Sequence, residues 1–90
     1  MTLIIYDIRN DKRRRKAVKL LESVGIRVQY SAFECTLTAS SLKQITTKLK
    51  KILSAEDSLR IYSFNDNISI TDIGQMPGLT ELELSGYIII

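Results

Sequence analysis

The 90-residue chain has no histidine and no tryptophan, and only one cysteine and one proline. Without histidine the usual general base is missing, which excludes serine-type triads and imidazole acid–base chemistry. The lone Cys35 cannot close an internal disulfide, and with no imidazole in the chain it cannot belong to a Cys/His zinc site. Its expected place is the core, as a small apolar side chain. Any hydrolysis would have to run through carboxylates and a metal ion. No apolar run approaches the length of a membrane span. The chain enters its first strand without the basic, apolar and small-residue regions of a signal peptide, so the expected location is the cytoplasm.

Basic residues are absent from the last third. Residues 1–60 hold all 13 Lys and Arg against 6 acids, a net charge of +7, whereas residues 61–90 hold 4 acids and no base, a net charge of −4. A basic body suits a polyanionic partner, because neutralised phosphates release counterions. The acidic end cannot share that surface. A chain of this length fits one domain that buries about 60–65% of its unfolded surface, a margin that dimerisation would improve.

Residues 3 to 8 read Leu-Ile-Ile-Tyr-Asp-Ile, a strand-forming run with Asp7 near its end. An unpaired carboxylate costs several kcal/mol to bury, so this acid needs a cation, a donor or water. Asn10 or Asp11 then caps a helix in which Ala17, Leu20, Leu21 and Val24 recur at helical spacing up to Gly25. Three residues back from Ala17 on the same face is Arg14, which should overhang the end of the first strand. Arg13, Arg15, Lys16 and Lys19 should spread around the solvent side. Residues 26–37 are rich in β-branched and aromatic side chains; the pattern allows one bent strand or a hairpin about Ser31-Ala32, and we read a hairpin. Thr38 caps a second amphipathic helix with Leu42, Ile45, Leu49, Ile52 and Leu53 inward and Lys43, Lys48, Lys50 and Lys51 mostly outward. Ser54 to Asp57 form a loop and Ser58 to Phe64 a further strand.

Strand, helix, strand, strand, helix, strand is the split βαβ order of an α+β, ferredoxin-like βαββαβ fold. Right-handed crossovers place the first and third strands centrally in a four-stranded antiparallel sheet, with both helices on one face. Asp7, Arg14, Ser31 and Phe33 should then converge on one edge. Residues 1–64 make this domain. Residues 65–90, with apolar segments Ile68 to Ile73, Leu79 to Leu84 and Tyr87 to Ile90, read as an extension that adds strand to a sheet edge, its own or a dimer partner's.

Four pieces of the chain resemble the CRISPR-associated protein two family: Tyr6-Asp7-Ile8, Asp11-Lys12-Arg13-Arg14, the run from Gly25 to Cys35, and Asp57-Ser58-Leu59-Arg60-Ile61-Tyr62. Their order and spacing match over about residues 3–64. The resemblance implies a ferredoxin-like homodimer acting in CRISPR adaptation, where it binds duplex DNA and bridges dimers of the integrase, CRISPR-associated protein one. It also implies an endonuclease activity on RNA or duplex DNA that depends on magnesium, described for some members. The strand-end aspartate of the family falls on Asp7, two copies of which would face each other across a dimer axis and share the metal. The helix arginine falls on Arg14, the arginine before the hairpin on Arg27, and the supporting serine and phenylalanine on Ser31 and Phe33. Ala32 stands where valine is commoner. The residues after Phe64 carry no pattern that resembles the family.

Beside these expectations stand plainer ones. Asp7 can be a structural acid paired with Arg14 or with backbone donors, and the run Lys12 to Lys16 can be a solvated helix face. Magnesium takes oxygen ligands and keeps waters, so one carboxylate from each of two subunits could hold it and supply the nucleophile that no histidine can activate. Taken with Arg27 and the +7 body, Arg13, Arg14, Arg15 and Lys16 read as contacts to a phosphate backbone, without base specificity. Arg14 could serve either Asp7 or phosphate. Phe33, Tyr6, Tyr30 and Tyr62 read as packing residues, and Glu34 as an outward strand residue. Two function classes follow: a metal-dependent phosphodiesterase, and a non-catalytic nucleic-acid-binding scaffold.

Overall fold

The structure, a computed structural model, describes residues 1–64 and 68–75. In chain order the elements are β1 (Thr2–Asp7), α1 (Asp11–Glu22), β2 (Gly25–Gln29), β3 (Ala32–Cys35), α2 (Ala39–Ile52), β4 (Ser58–Phe64) and β5 (Ile68–Ile73). Local chemistry sets both helix starts. The Asn10 side chain accepts the Arg13 N–H at 2.9 Å, and Thr38 Oγ1 accepts the Ser41 N–H at 3.1 Å, each satisfying a donor that the first turn leaves free. At the other end α1 stops at Glu22 with Ser23 as its cap, earlier than the expected Gly25. Gly25 instead opens β2, where a Cβ would collide with Cys35 Sγ and the Glu34 carbonyl; it is there for close approach rather than for a helix cap.

Residues 26–37 form the expected hairpin, turning at Tyr30 and Ser31, with a register shift between Arg27 and Gln29. Five strands lie in the order β2-β3-β1-β4-β5, each antiparallel to its neighbour. The first four keep the ferredoxin-like order, and β5 adds to the free edge of β4. The strand expected at Tyr87–Ile90, and any pairing of it with a partner's sheet, lies outside the described residues.

Period-two alternation decides which side chains meet the helices. Ile4 and Tyr6 of β1, Phe33 and Cys35 of β3, and Leu59 and Ile61 of β4 pack with Ala17 and Leu21 of α1 and Ile45 and Leu49 of α2 into one core. Each fully buried aliphatic side chain contributes about 1.5–3 kcal/mol. Cys35 is buried here as expected, and burial raises its thiol pKa, reinforced by the Glu34 charge. The opposite face carries Ile5, Ala32 and Tyr62, with Leu3 and Phe64 packed against them. No helix among the described residues covers that face, and Ile70 of β5 is half exposed on it. Arg60 also lies there, 8% exposed, and its guanidinium donates to the Asp72 carboxylate at 2.6 and 3.0 Å. Arg60 and Asp72 are direct cross-strand partners, so this bidentate pair fixes the register of β5 on β4.

Candidate nucleic-acid interface and acidic cleft

Asp7 is the last residue of β1, opposite Ser58 of β4. Alternation puts it with Leu3 and Ile5 on the helix-free face, and its carboxylate is exposed. Among the described residues it accepts no side-chain hydrogen bond and forms no ion pair; being exposed, it does not bear the cost of burying an unpaired charge. The pairing with Arg14 considered from the sequence is not made. Arg14 instead donates to the carbonyls of Ile8 and Arg9 at 3.2 and 3.3 Å and pairs with Asp11. It does overhang the strand end, and it fixes the backbone that follows Asp7 rather than the carboxylate itself.

Asp7 opens into a cleft of about 510 Å³ with Arg9, Glu56 and Ser58, closed on one side by Gly74 and Gln75. The segment that follows β5 therefore supplies one wall of the Asp7 cleft. Gly74 makes the wall fit: its φ of 77° is in the left-handed region, and a Cβ there would strike the Asp57 carbonyl. Asp57 also borders this cleft, but its carboxylate is committed elsewhere. Its side chain is 1% exposed, accepts Arg13 Nε at 2.8 Å, and accepts the Ser54 N–H at 2.9 Å. Arg13 reaches Glu56 as well. Arg13 thus does not sit on the solvent side with Arg15 and Lys16. It precedes Ala17 by four residues and so shares the inward stripe of α1, where it ties the helix to the loop before β4.

Arg15 and Lys16 are exposed on α1, and Lys43, Lys48, Lys50 and Lys51 are exposed on α2. Arg27 is exposed on β2, with its guanidinium 5.4 Å from the centroid of the Phe33 ring, a cation–π contact. Phe33 itself is fully buried and pairs with Ile4, on the helix side of the sheet, so it does not reach Asp7. Ser31 does come to the strand end, where its carbonyl accepts the Tyr6 N–H at 3.1 Å. Three of the 13 basic residues, Arg13, Arg14 and Arg60, are held in ion pairs among the described residues.

Sequence reasoning missed Arg9, Gln75 and the Arg13–Asp57 tie. The tie joins residues 44 apart, and only the i, i+4 relation of Arg13 to Ala17 hinted at it. Glu34 is exposed and Tyr6 and Tyr62 are buried, in line with expectation, but Tyr30 is 81% exposed because it sits at the turn of the hairpin.

Asp7 offers hard oxygen donors suited to magnesium, yet no group of three or more His, Cys, Asp or Glu among the described residues is placed to hold a metal ion.

Residues 1–69 match the family model of CRISPR associated protein Cas2. The chain belongs to the Cas2 family. A Synechocystis protein named CRISPR-associated endoribonuclease Cas2 3 is 47% identical over 81 residues, 88% of this chain and 88% of its own length. A Thermus thermophilus protein named CRISPR-associated endonuclease Cas2 2 is 37% identical over 82 residues, covering 90% of this chain and 91% of its own. Among solved structures, Streptococcus pyogenes Cas2 at pH 6.5 superposes with a TM-score of 0.66 at 35% identity, covering 73% of this chain and 87% of that one. The family that the four sequence pieces resemble is thus the one found, and the Cas2 neighbours share the ferredoxin-like fold.

The Asp57 tie has a pH signature. Burial pushes the Asp57 carboxyl up, but the Arg13 guanidinium and the Ser54 N–H together outweigh it and hold the pKa below the usual aspartate value. A depressed folded-state pKa stabilises the fold above the unfolded value of about 3.9, and that contribution is lost as pH falls through the folded value. Asp57→Asn is expected to lower stability at neutral pH by about 1.5–3 kcal/mol, the scale of charge-assisted hydrogen bonds. Urea midpoints of wild type and variant should converge as pH falls below about 4; a gap independent of pH would refute the tie.

Proposed function

We propose that the chain works in CRISPR adaptation as a two-fold dimer that binds duplex nucleic acid and bridges integrase dimers during spacer acquisition. The observation that carries this reading is the division of the surface. Exposed cations crowd the helix layer and β2, whereas the helix-free face presents Leu3, Phe64 and half-exposed Ile70 beside Asp7. Apolar surface on one face of a sheet calls for a covering layer, and stacking two such faces across a two-fold buries both. The cations stay outside, available to phosphates. Arg15, Lys16 and Arg27 are the phosphate contacts in this account, Arg14 lends charge while it holds the β1–α1 loop, and Arg13 orients the helix that presents them.

A second reading is favoured by one observation, the exposed and unpaired Asp7 carboxylate at the cleft. In the proposed dimer Asp7 of each protomer would hold a magnesium ion, which when bound supplies a water of lowered pKa for phosphodiester hydrolysis. Arg14 would keep the backbone after Asp7 in place, and the Gly74–Gln75 wall would bound the cleft. The relatives' names, endoribonuclease and endonuclease, agree with a hydrolytic role.

Duplex binding should weaken steeply with salt, by about 0.9 log units in affinity per phosphate contact for each log unit of salt. The Arg15→Ala, Lys16→Ala double variant is expected to flatten that slope by roughly the equivalent of two contacts. A salt-insensitive wild type would count against the basic surface. Cleavage of labelled RNA and duplex DNA with and without magnesium tests the second reading. Because Asp7 is exposed and unpaired, Asp7→Ala should abolish magnesium-dependent cleavage and leave folding and duplex affinity intact; undiminished cleavage by the pure variant would remove the hydrolytic role.

A further inference from the structure

A second cleft, on the helix side of the sheet, separates α1 from the β2–β3 hairpin and holds about 390 Å³. That is within the ~300–1,000 Å³ range of small-molecule sites. Its α1 wall carries Arg14, Arg15 and Lys19, and its hairpin wall carries Arg27 and Tyr30. Tyr6 lies between, buried, its hydroxyl donating to the Tyr30 carbonyl at 3.3 Å. Four cations face one acid, Glu22, so the cleft is strongly positive. Arg15, Lys19 and Arg27 form no ion pair among the described residues, which leaves their donors available. Arg27 is steadied over Phe33, and the hydrogen bond from Tyr6 ties down the backbone of the turn that displays Tyr30. Packing does not explain Tyr30: it is 81% exposed, an aromatic face set beside a row of cations.

We propose that this cleft binds a single unpaired nucleotide, its phosphate on the cations of α1 and Arg27 and its base stacked on Tyr30. The proposal rests on the reading of the chain as a nucleic-acid-binding protein and goes beyond backbone contact. Bases within a duplex are stacked on one another and cannot offer a face to Tyr30, whereas a free nucleotide or one in a single-stranded overhang presents phosphate and π-face together. Stacking tolerates any base, so no sequence preference is implied.

The test titrates the full chain at low salt with adenosine 5′-monophosphate, with inorganic phosphate, and with blunt and overhang-bearing duplexes of equal length. The nucleotide is expected to bind about tenfold more tightly than phosphate, the scale of one base–aromatic stack. Tyr30→Ala should erase that margin and Tyr30→Phe should keep it, with blunt-duplex affinity unchanged in both. Because Arg15 and Arg27 also serve the duplex backbone, both duplexes compete for the cations; displacement of the nucleotide at a lower concentration of the overhang duplex than of the blunt one assigns the site to strand ends, and equal displacement by the two assigns it to free nucleotides. Equal binding of nucleotide and phosphate, or a margin that survives Tyr30→Ala, overturns the proposal while duplex binding stands. Nucleotide binding with the margin intact and no affinity for blunt duplex would leave the cleft in place and remove the duplex reading instead.

Discussion

The pleat of β1, clamped between β3 and β4, is the constraint on which the rest of the structure depends. Thr2 to Asp7 pair with β4 along their whole length, and Thr2 to Ile5 pair with β3 on the other side. Ile4 and Tyr6 are thereby committed to the helix core, and Leu3, Ile5 and Asp7 to the opposite face. A slip of one residue would exchange the two sets, burying the carboxylate under α1 and exposing the core. Two-sided pairing excludes that slip. The acid reaches the helix-free face because of where β1 sits in the sheet, sharing that face with Leu3 and Ile5 of its own strand and meeting Ser58 across the sheet.

A second layer of control is electrostatic. Arg13 binds Asp57 and joins α1 to the loop before β4, Arg14 closes the β1–α1 loop onto its own carbonyls, and Arg60 binds Asp72 and holds β5. Each of these arginines works inside the fold, and two of them border the Asp7 end of the sheet. β5 then turns at Gly74 against the Asp57 carbonyl, so the extension, the loop and the helix meet where Asp7 opens to solvent. A basic composition is therefore an upper bound on the charge free to meet phosphates. The cations that remain exposed lie mostly on α1, α2 and β2, away from the apolar face, with Arg9 of the β1–α1 loop at the mouth of the Asp7 cleft.

The parts of this arrangement that depend on local chemistry were readable from the sequence. Thr38 caps α2 as expected because a capping side chain acts within three residues, and the strand Ser58–Phe64 and the hairpin followed from β-branched and aromatic runs. Gly25 was misread because glycine serves both helix ends and close strand approach, and only the neighbouring Cys35 and Glu34, ten and nine residues on, tell the two apart. The Arg13–Asp57 tie and the Gly74 wall join segments far apart in sequence, so no local pattern carries them. Phe33 was expected at the Asp7 edge from its place in the hairpin, but the pairing Ile4 with Phe33 sets it deeper, and on the other face. Tyr30 illustrates the limit of composition: aromatic residues are usually packing, and a turn position is what leaves this one exposed.

The central claim is that the helix-free face is covered by a second copy of the chain, which would bring two Asp7 carboxylates together. Sedimentation equilibrium of the full chain and of Ile70→Asp at tens of micromolar tests it directly, since Ile70 is half exposed on that face and its replacement leaves the monomer core untouched. The account predicts a dimeric wild type and a variant that is folded by circular dichroism and shifted toward monomer. A monomeric wild type, or a variant that dimerises as tightly as wild type, would contradict it.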